Sequence, residues 1–133
     1  MTQATVFERM DECTLAELND GRVYLNMRNK HSLKFKNSTS CECRGVATSE
    51  DGGATFGKLR MDPALPSPVC QATLSSAGGS LLFANPASKQ SRTQGEIKKS
   101  TDMGETWSST LHVTHPGATI DQASAVNNNP ITF

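Results

Sequence analysis

The sequence has little of what many functional classes require. It carries no net charge, because 13 basic side chains balance 13 acidic ones. Such a surface offers no electrostatic footprint for nucleic acid or an anionic membrane. No apolar run approaches the roughly 20 residues of a membrane-spanning helix. Met1 to Met10 has neither a basic start nor an apolar segment, so it does not read as a secretory leader. The default expectation is a cytoplasmic chain, with a lysosomal or membrane-associated setting left open for a longer parent. Metal-ligand spacing is missing too. Cys13, Cys41, Cys43 and Cys70 do not form paired Cys-x2–4-Cys units, and His31, His112 and His115 do not complete one. No metal or other cofactor is expected. Cys41 and Cys43 fall on one face of a strand. Buried free thiols are the first reading of the cysteines and a disulfide the second.

What is present is a turn used twice. Ser49-Glu50-Asp51-Gly52-Gly53-Ala54-Thr55-Phe56 and Ser100-Thr101-Asp102-Met103-Gly104-Glu105-Thr106-Trp107 both fit Ser-x-Asp-x-Gly-x-Thr-aromatic. Asp accepts hydrogen bonds from backbone N–H groups just ahead of it and folds the chain over. Gly supplies a backbone angle that other residues reach only with strain. Thr re-enters an extended strand, and the aromatic ring anchors that strand in a core. Each copy is therefore a hairpin tip, and Asp51 and Asp102 are expected to hold turns rather than to touch a substrate. Short strands repeating at roughly 40–50 residues suggest propeller blades. The chain has 133 residues, enough for two to three blades. A closed propeller needs about four to eight. The expectation is an all-β, partial β-propeller that belongs to a larger assembly, since blades bury their faces on neighbours.

Along the chain, residues 7–17 suit a short helix or a strand. Asn19-Asp20-Gly21 is a strong hairpin turn and decides for strand on both sides. Beyond it Val23, Leu25 and Met27 point one way and Tyr24, Asn26 and Arg28 the other. Residues 29–39 read as a polar loop, and 41–49 as a strand entering the first repeat. Pro63, Pro66 and Pro68 make 61–69 a connection between blades, because proline removes ladder donors. A second hairpin follows over 72–84, ended by Asn85-Pro86. A polar loop around Arg92 leads to a strand entering the second repeat, and another strand leaves it. Three side chains have chemical potential. Arg28 and Arg92 could grip a planar carboxylate through parallel hydrogen bonds, and Glu12 precedes the first hairpin. Taken singly, each also reads as a solvated surface charge.

These stretches together resemble the sialidase (neuraminidase) superfamily, from about Asp11 to about Gly117. The repeated turns match that family's Asp boxes. Glu12-Cys13-Thr14-Leu15-Ala16-Glu17-Leu18, with Asp20-Gly21-Arg22-Val23-Tyr24-Leu25-Asn26-Met27-Arg28, is similar to the segment where an essential Glu precedes a hairpin ending in Asn-x-Arg. Phe83-Ala84-Asn85-Pro86-Ala87, followed by Arg92, is similar to the stretch supplying a second active-site Arg. The resemblance implies two to three blades of a six-bladed propeller over 1–117, with a divergent, frayed tail over 118–133. It implies an exo-α-sialidase that takes terminal sialic acid from glycoproteins, gangliosides and oligosaccharides. Arg28 and Arg92 would be two of three arginines on the sialic acid carboxylate, and Glu12 the base serving a tyrosine nucleophile. No tyrosine follows Arg92, and the family's remaining Arg and acid/base Asp lie upstream of the matched region. The expectation is a catalytically incomplete chain that needs further blades. A non-catalytic sialic-acid-binding module and a structural Asp-box segment are the alternatives.

Overall fold

The computed structural model describes residues 7–30 and 41–113. The tail over 118–133 and most of the expected polar loop lie outside them. Eight strands are described: β1 (Met10–Glu17), β2 (Val23–Asn29), β3 (Cys43–Ser49), β4 (Arg60–Pro66), β5 (Thr73–Ala77), β6 (Ser80–Pro86), β7 (Gly95–Ser100) and β8 (Ser108–Val113). They form two antiparallel four-stranded meanders, β1-β2-β3-β4 and β5-β6-β7-β8. The fold is thus all-β, with two complete blades.

The hairpin at Asn19-Asp20-Gly21 forms where the turn chemistry places it. The Asp20 carboxylate accepts from the Arg22 backbone N–H at 3.1 Å and from Arg22 Nε at 2.7 Å. Gly21 adopts φ of 84°. The hairpin over 72–84 also forms, but its tip is only Gly78-Gly79, both left-handed, and β6 runs on through Pro86.

The proline-rich stretch departs from expectation. Residues 60–66 are not a connection but β4, an outer strand hydrogen-bonded to β3 alone. Proline is tolerated there because an edge strand leaves one side of its ladder unused. The register shifts between Cys43 and Arg44, where Cys43 faces Pro66 and Arg44 faces Asp62. The crossing to the second sheet is left to residues 67–72.

The main core is the seam between the blades. Ala16, Leu18, Tyr24, Val46 and Leu65 from the first sheet meet Ala72, Leu74, Leu81 and Phe83, with Trp107 packed alongside. The Trp107 ring stands edge-on to Tyr24 and Phe83, at centroid distances of 6.3 and 5.9 Å. The far face of the first sheet carries a smaller cluster of Leu25, Met27 and Ala47, flanked by Phe7, Met10, Phe56 and Leu59. β2 is therefore covered on both faces. Its Tyr24–Asn26 side is not a solvated face but the inside of the seam.

Candidate functional site

Both repeated turns close as their sequence dictates. In the first, Asp51 Oδ1 accepts from the Thr55 backbone N–H at 2.8 Å and from Ser49 Oγ at 2.7 Å. Ser49 Oγ in turn accepts from Gly53 N–H at 2.8 Å. The second repeats this with Asp102, Thr106, Ser100 and Gly104 at 2.9, 2.7 and 2.8 Å. The Thr55 and Thr106 hydroxyls, the largest cause in each case, help to hold both carboxyls down at about 2. Every lone pair so used points into the turn, which leaves Asp51 and Asp102 as corner-holders.

The other end of the sheets gathers charge. Val23 pairs with Ser49, so the first Asp box caps the Val23 end of β2, and Arg28 lies at the opposite end. Asn26 pairs with Val46 across the seam face. Arg28 lies two residues beyond Asn26, and Arg44 two residues before Val46. Strand alternation therefore delivers both guanidiniums to the seam face at the same end. Glu12 reaches this row from β1, and Arg28 Nη1 donates to its Oε2 at 2.6 Å. Arg28 is mostly covered, while the Glu12 carboxylate is 43% exposed and opens toward solvent.

Arg44 is fully buried. Its Nε donates to Asn26 Oδ1 at 2.7 Å and its Nη1 to the Cys70 carbonyl at 2.6 Å, with the guanidinium 5.9 Å from the Phe83 ring centre. Burial draws its pKa down to about 10, so it stays cationic at neutral pH. Among the described residues, Arg28 Nε, Arg44 Nη2 and Asn26 Nδ2 are buried donors without a hydrogen-bond partner. A row of donors like this favours an acceptor or an anion at its mouth.

Arg92 stands in the loop of residues 87–94, which leaves β6 at this same end. Burial pushes the Cys70 thiol up, and the positive fields of Arg44, Arg92 and Arg28 oppose that rise. The loop that carries Arg92 therefore lies at the same sheet end as Arg28 and Arg44. The fold thus joins Glu12 to Arg28 directly, brings Arg92 into the same neighbourhood, and leaves Asp51 and Asp102 at the far rim. Sequence reasoning did not select Arg44 as a site residue. The signal available was its two-residue spacing from Val46 on the strand beside Arg28.

The cysteines divide. Cys70 is a buried free thiol, and Cys13 is free but exposed. Cys41 and Cys43 are joined as a disulfide with Cα atoms 5.2 Å apart, which corrects the free-thiol reading for that pair. The chain bends at Glu42 just ahead of β3, which brings the two Cα atoms within disulfide reach. Among the described residues no group of three His, Cys, Asp or Glu side chains could hold a metal ion. No helix among them is long and apolar enough to cross a membrane.

No family profile matches the chain. A curated "Sialidase" from Micromonospora viridifaciens is 40% identical over 108 residues, which is 74% of this chain and 16% of the relative. The chain therefore spans about a sixth of the length of that protein. A solved Hadza microbial sialidase is 28% identical with a TM-score of 0.57, covering 74% of this chain and 19% of that one. Two more distant structures share the fold alone. A leech intramolecular trans-sialidase has a TM-score of 0.58 at 20% identity, over 79% of this chain and 17% of its own. A Penicillium chrysogenum alpha-L-arabinanase has 0.57 at 18%, over 82% and 33%.

Proposed function

The chain belongs to the sialidase superfamily as a partial chain, and on that premise we propose that its cationic row is the carboxylate-recognising part of an exo-α-sialidase. The observation that carries this reading is the Glu12–Arg28 ion pair at 2.6 Å, set on the same sheet end as Arg44 and Arg92. Sialic acid differs from neutral sugars by a carboxylate on its anomeric carbon. Guanidiniums held by the seam suit that group, since a planar fork matches a planar carboxylate. Their fixed charge also stays in place while an oxocarbenium-like transition state develops. Arg28 and Arg92 take the carboxylate, and Glu12 stands as the base beside it. Sialylated glycoconjugates are the substrates this implies.

The same reading assigns binding without turnover to the 133-residue chain. A sialidase of this type uses a tyrosine nucleophile. The single tyrosine here, Tyr24, is buried in the seam beside Trp107, and its phenol is pushed well above its usual range by burial. It serves packing and cannot meet a sugar. Losing a nucleophile removes most of a glycosidase rate enhancement.

NMR titration with sialyllactose tests the binding half, with arabinobiose as the neutral control because an arabinanase shares the fold. Shifts at Arg28 and Arg92 with sialyllactose alone are expected. A lost charge-assisted hydrogen bond costs about 1.5–3 kcal/mol, so Arg28→Met should weaken binding about 10- to 100-fold. Equal response to both sugars, or none at either arginine, would remove the reading. A fluorogenic sialoside tests the other half, and hydrolysis by the pure chain would refute it.

A further inference from the structure

Arg28 and Arg44 stand on strands, which fix their direction. Arg92 stands in a loop, and residues 87–94 have to fix it by other means. Pro86 pairs with Gly95 where β6 and β7 part, and the Ala87 N–H donates to the Gln94 carbonyl at 2.8 Å. These contacts close the loop at its base. Gln94 takes a left-handed φ of 60°, which a non-glycine residue keeps only where its surroundings enforce it. On the other arm, Ser88 Oγ accepts from the Gln90 and Ser91 backbone N–H groups, both at 3.3 Å.

The tightest part of the loop is centred on Arg92. The Thr93 N–H donates to the Ser91 carbonyl at 2.8 Å, which makes a three-residue turn with Arg92 in the middle. Ser91 Oγ and Thr93 Oγ1 share a second hydrogen bond at 2.8 Å, and Ser91 Oγ lies 3.3 Å from Ser88 Oγ. The two neighbours of Arg92 are thus joined twice, once through the backbone and once through their hydroxyls. Thr93 is buried and Ser91 exposed, so the buried residue anchors the exposed one.

We propose that Ser91 and Thr93 are positioning residues for Arg92, their hydroxyls bracing its turn so that the guanidinium meets a carboxylate in one orientation. The inference rests on the reading of Arg92 as a carboxylate contact and deepens it. A guanidinium fork makes two parallel hydrogen bonds only when its plane suits the carboxylate. Ordering a loop and a long side chain at the moment of binding weakens affinity, and a brace formed beforehand removes that loss.

The test compares Thr93→Val, which keeps the branched shape without the hydroxyl, with Thr93→Ser, which keeps the hydroxyl. Ser91 is exposed, so water replaces the lost partner and the urea midpoint of Thr93→Val should stay near the native value. Its sialyllactose affinity should fall about 3- to 10-fold, while Thr93→Ser stays close to native. Heteronuclear NOE values for the Ser91, Arg92 and Thr93 amides, recorded without ligand, should drop in Thr93→Val alone. Native-like affinity in Thr93→Val, with the native chain binding, overturns the proposal and leaves the carboxylate reading standing. Equal weakening in both variants also overturns it, because packing and not the hydroxyl would be responsible. Absence of binding by the native chain removes the carboxylate reading. The NOE values then decide the brace, which unchanged values in Thr93→Val overturn and a drop confined to that variant supports.

Discussion

Gly104 lies against the ring of Tyr24 so closely that a Cβ added there would stand 2.4 Å from Tyr24 Cε2. The second Asp box, at φ of 90° for this glycine, is thus pressed onto the first blade's only tyrosine. Arg60 Nη2 secures the same contact by donating to the Gly104 carbonyl at 3.3 Å.

That contact separates two kinds of glycine. Gly53 holds the same place in the first box at φ of 93°, with nothing within 4 Å of a built Cβ. Gly53→Ala should cost about 1–2 kcal/mol from the backbone alone. Gly104→Ala should cost about 1–3 kcal/mol more, because it also overpacks the seam. Paired urea denaturation curves measure the difference. Equal losses would mean that Tyr24 yields to the added methyl.

The Asp-box carboxyls predict an acid limit. Asp51 and Asp102 sit at about 2 in the folded chain against an ordinary 3.8. As the pH falls, protons bind these groups more readily in the unfolded chain. The stability they contribute is complete above about pH 4 and is lost progressively as the pH falls toward about 2. The double substitution Asp51→Asn and Asp102→Asn should be less stable at pH 7 and show a flatter loss over that window. Thermal melts across the range would show it, and parallel pH profiles for both proteins would contradict it.

Arg44 predicts a large structural loss. Removing it strands Asn26 Oδ1 and the Cys70 carbonyl, both now bonded at 2.7 Å or less. Each buried acceptor left unpaired costs about 1–3 kcal/mol, and a cavity adds to this. Arg44→Ala should lose about 3–5 kcal/mol, a large share of a typical domain's stability. Arg44→Lys should recover part of it by serving one acceptor. Chemical denaturation of the two variants gives the comparison.

Glu12 predicts the reverse balance. Its carboxylate is 43% exposed and its pair with Arg28 is solvent-facing on one side. Exposed ion pairs contribute about 0–1 kcal/mol, so Glu12→Gln should scarcely move the denaturation midpoint. It should release Arg28 for an external carboxylate and tighten sialyllactose binding modestly. Unchanged or weaker binding in the titration would count against Arg28 as a carboxylate contact.

The fold was legible where local chemistry decides it. Asn19-Asp20-Gly21 forces a hairpin whatever surrounds it, and the Asp boxes carry their hydrogen bonds inside eight residues. Pro63 and Pro66 misled, because a strand at a sheet edge and a linker share one local signature, and only β3 distinguishes them. The seam position of Tyr24 and Asn26 was not legible, because two-residue periodicity reports sides, not what covers them. Of the candidate site, the sequence singled out Glu12, Arg28 and Arg92 by residue type and motif position alone. Arg44 was not selected, since nothing local says that a strand arginine will be sealed beneath a neighbouring blade and held by Asn26 and Cys70.

The Asp boxes and the cationic row occupy opposite rims of the same strands. Insertions or fluorophores at the exposed Glu50 or Glu105 would hang about a strand's length from the Glu12–Arg28 pair. A conjugated dye there would report folding in the same cuvette as a ligand titration while standing clear of Glu12, Arg28 and Arg44.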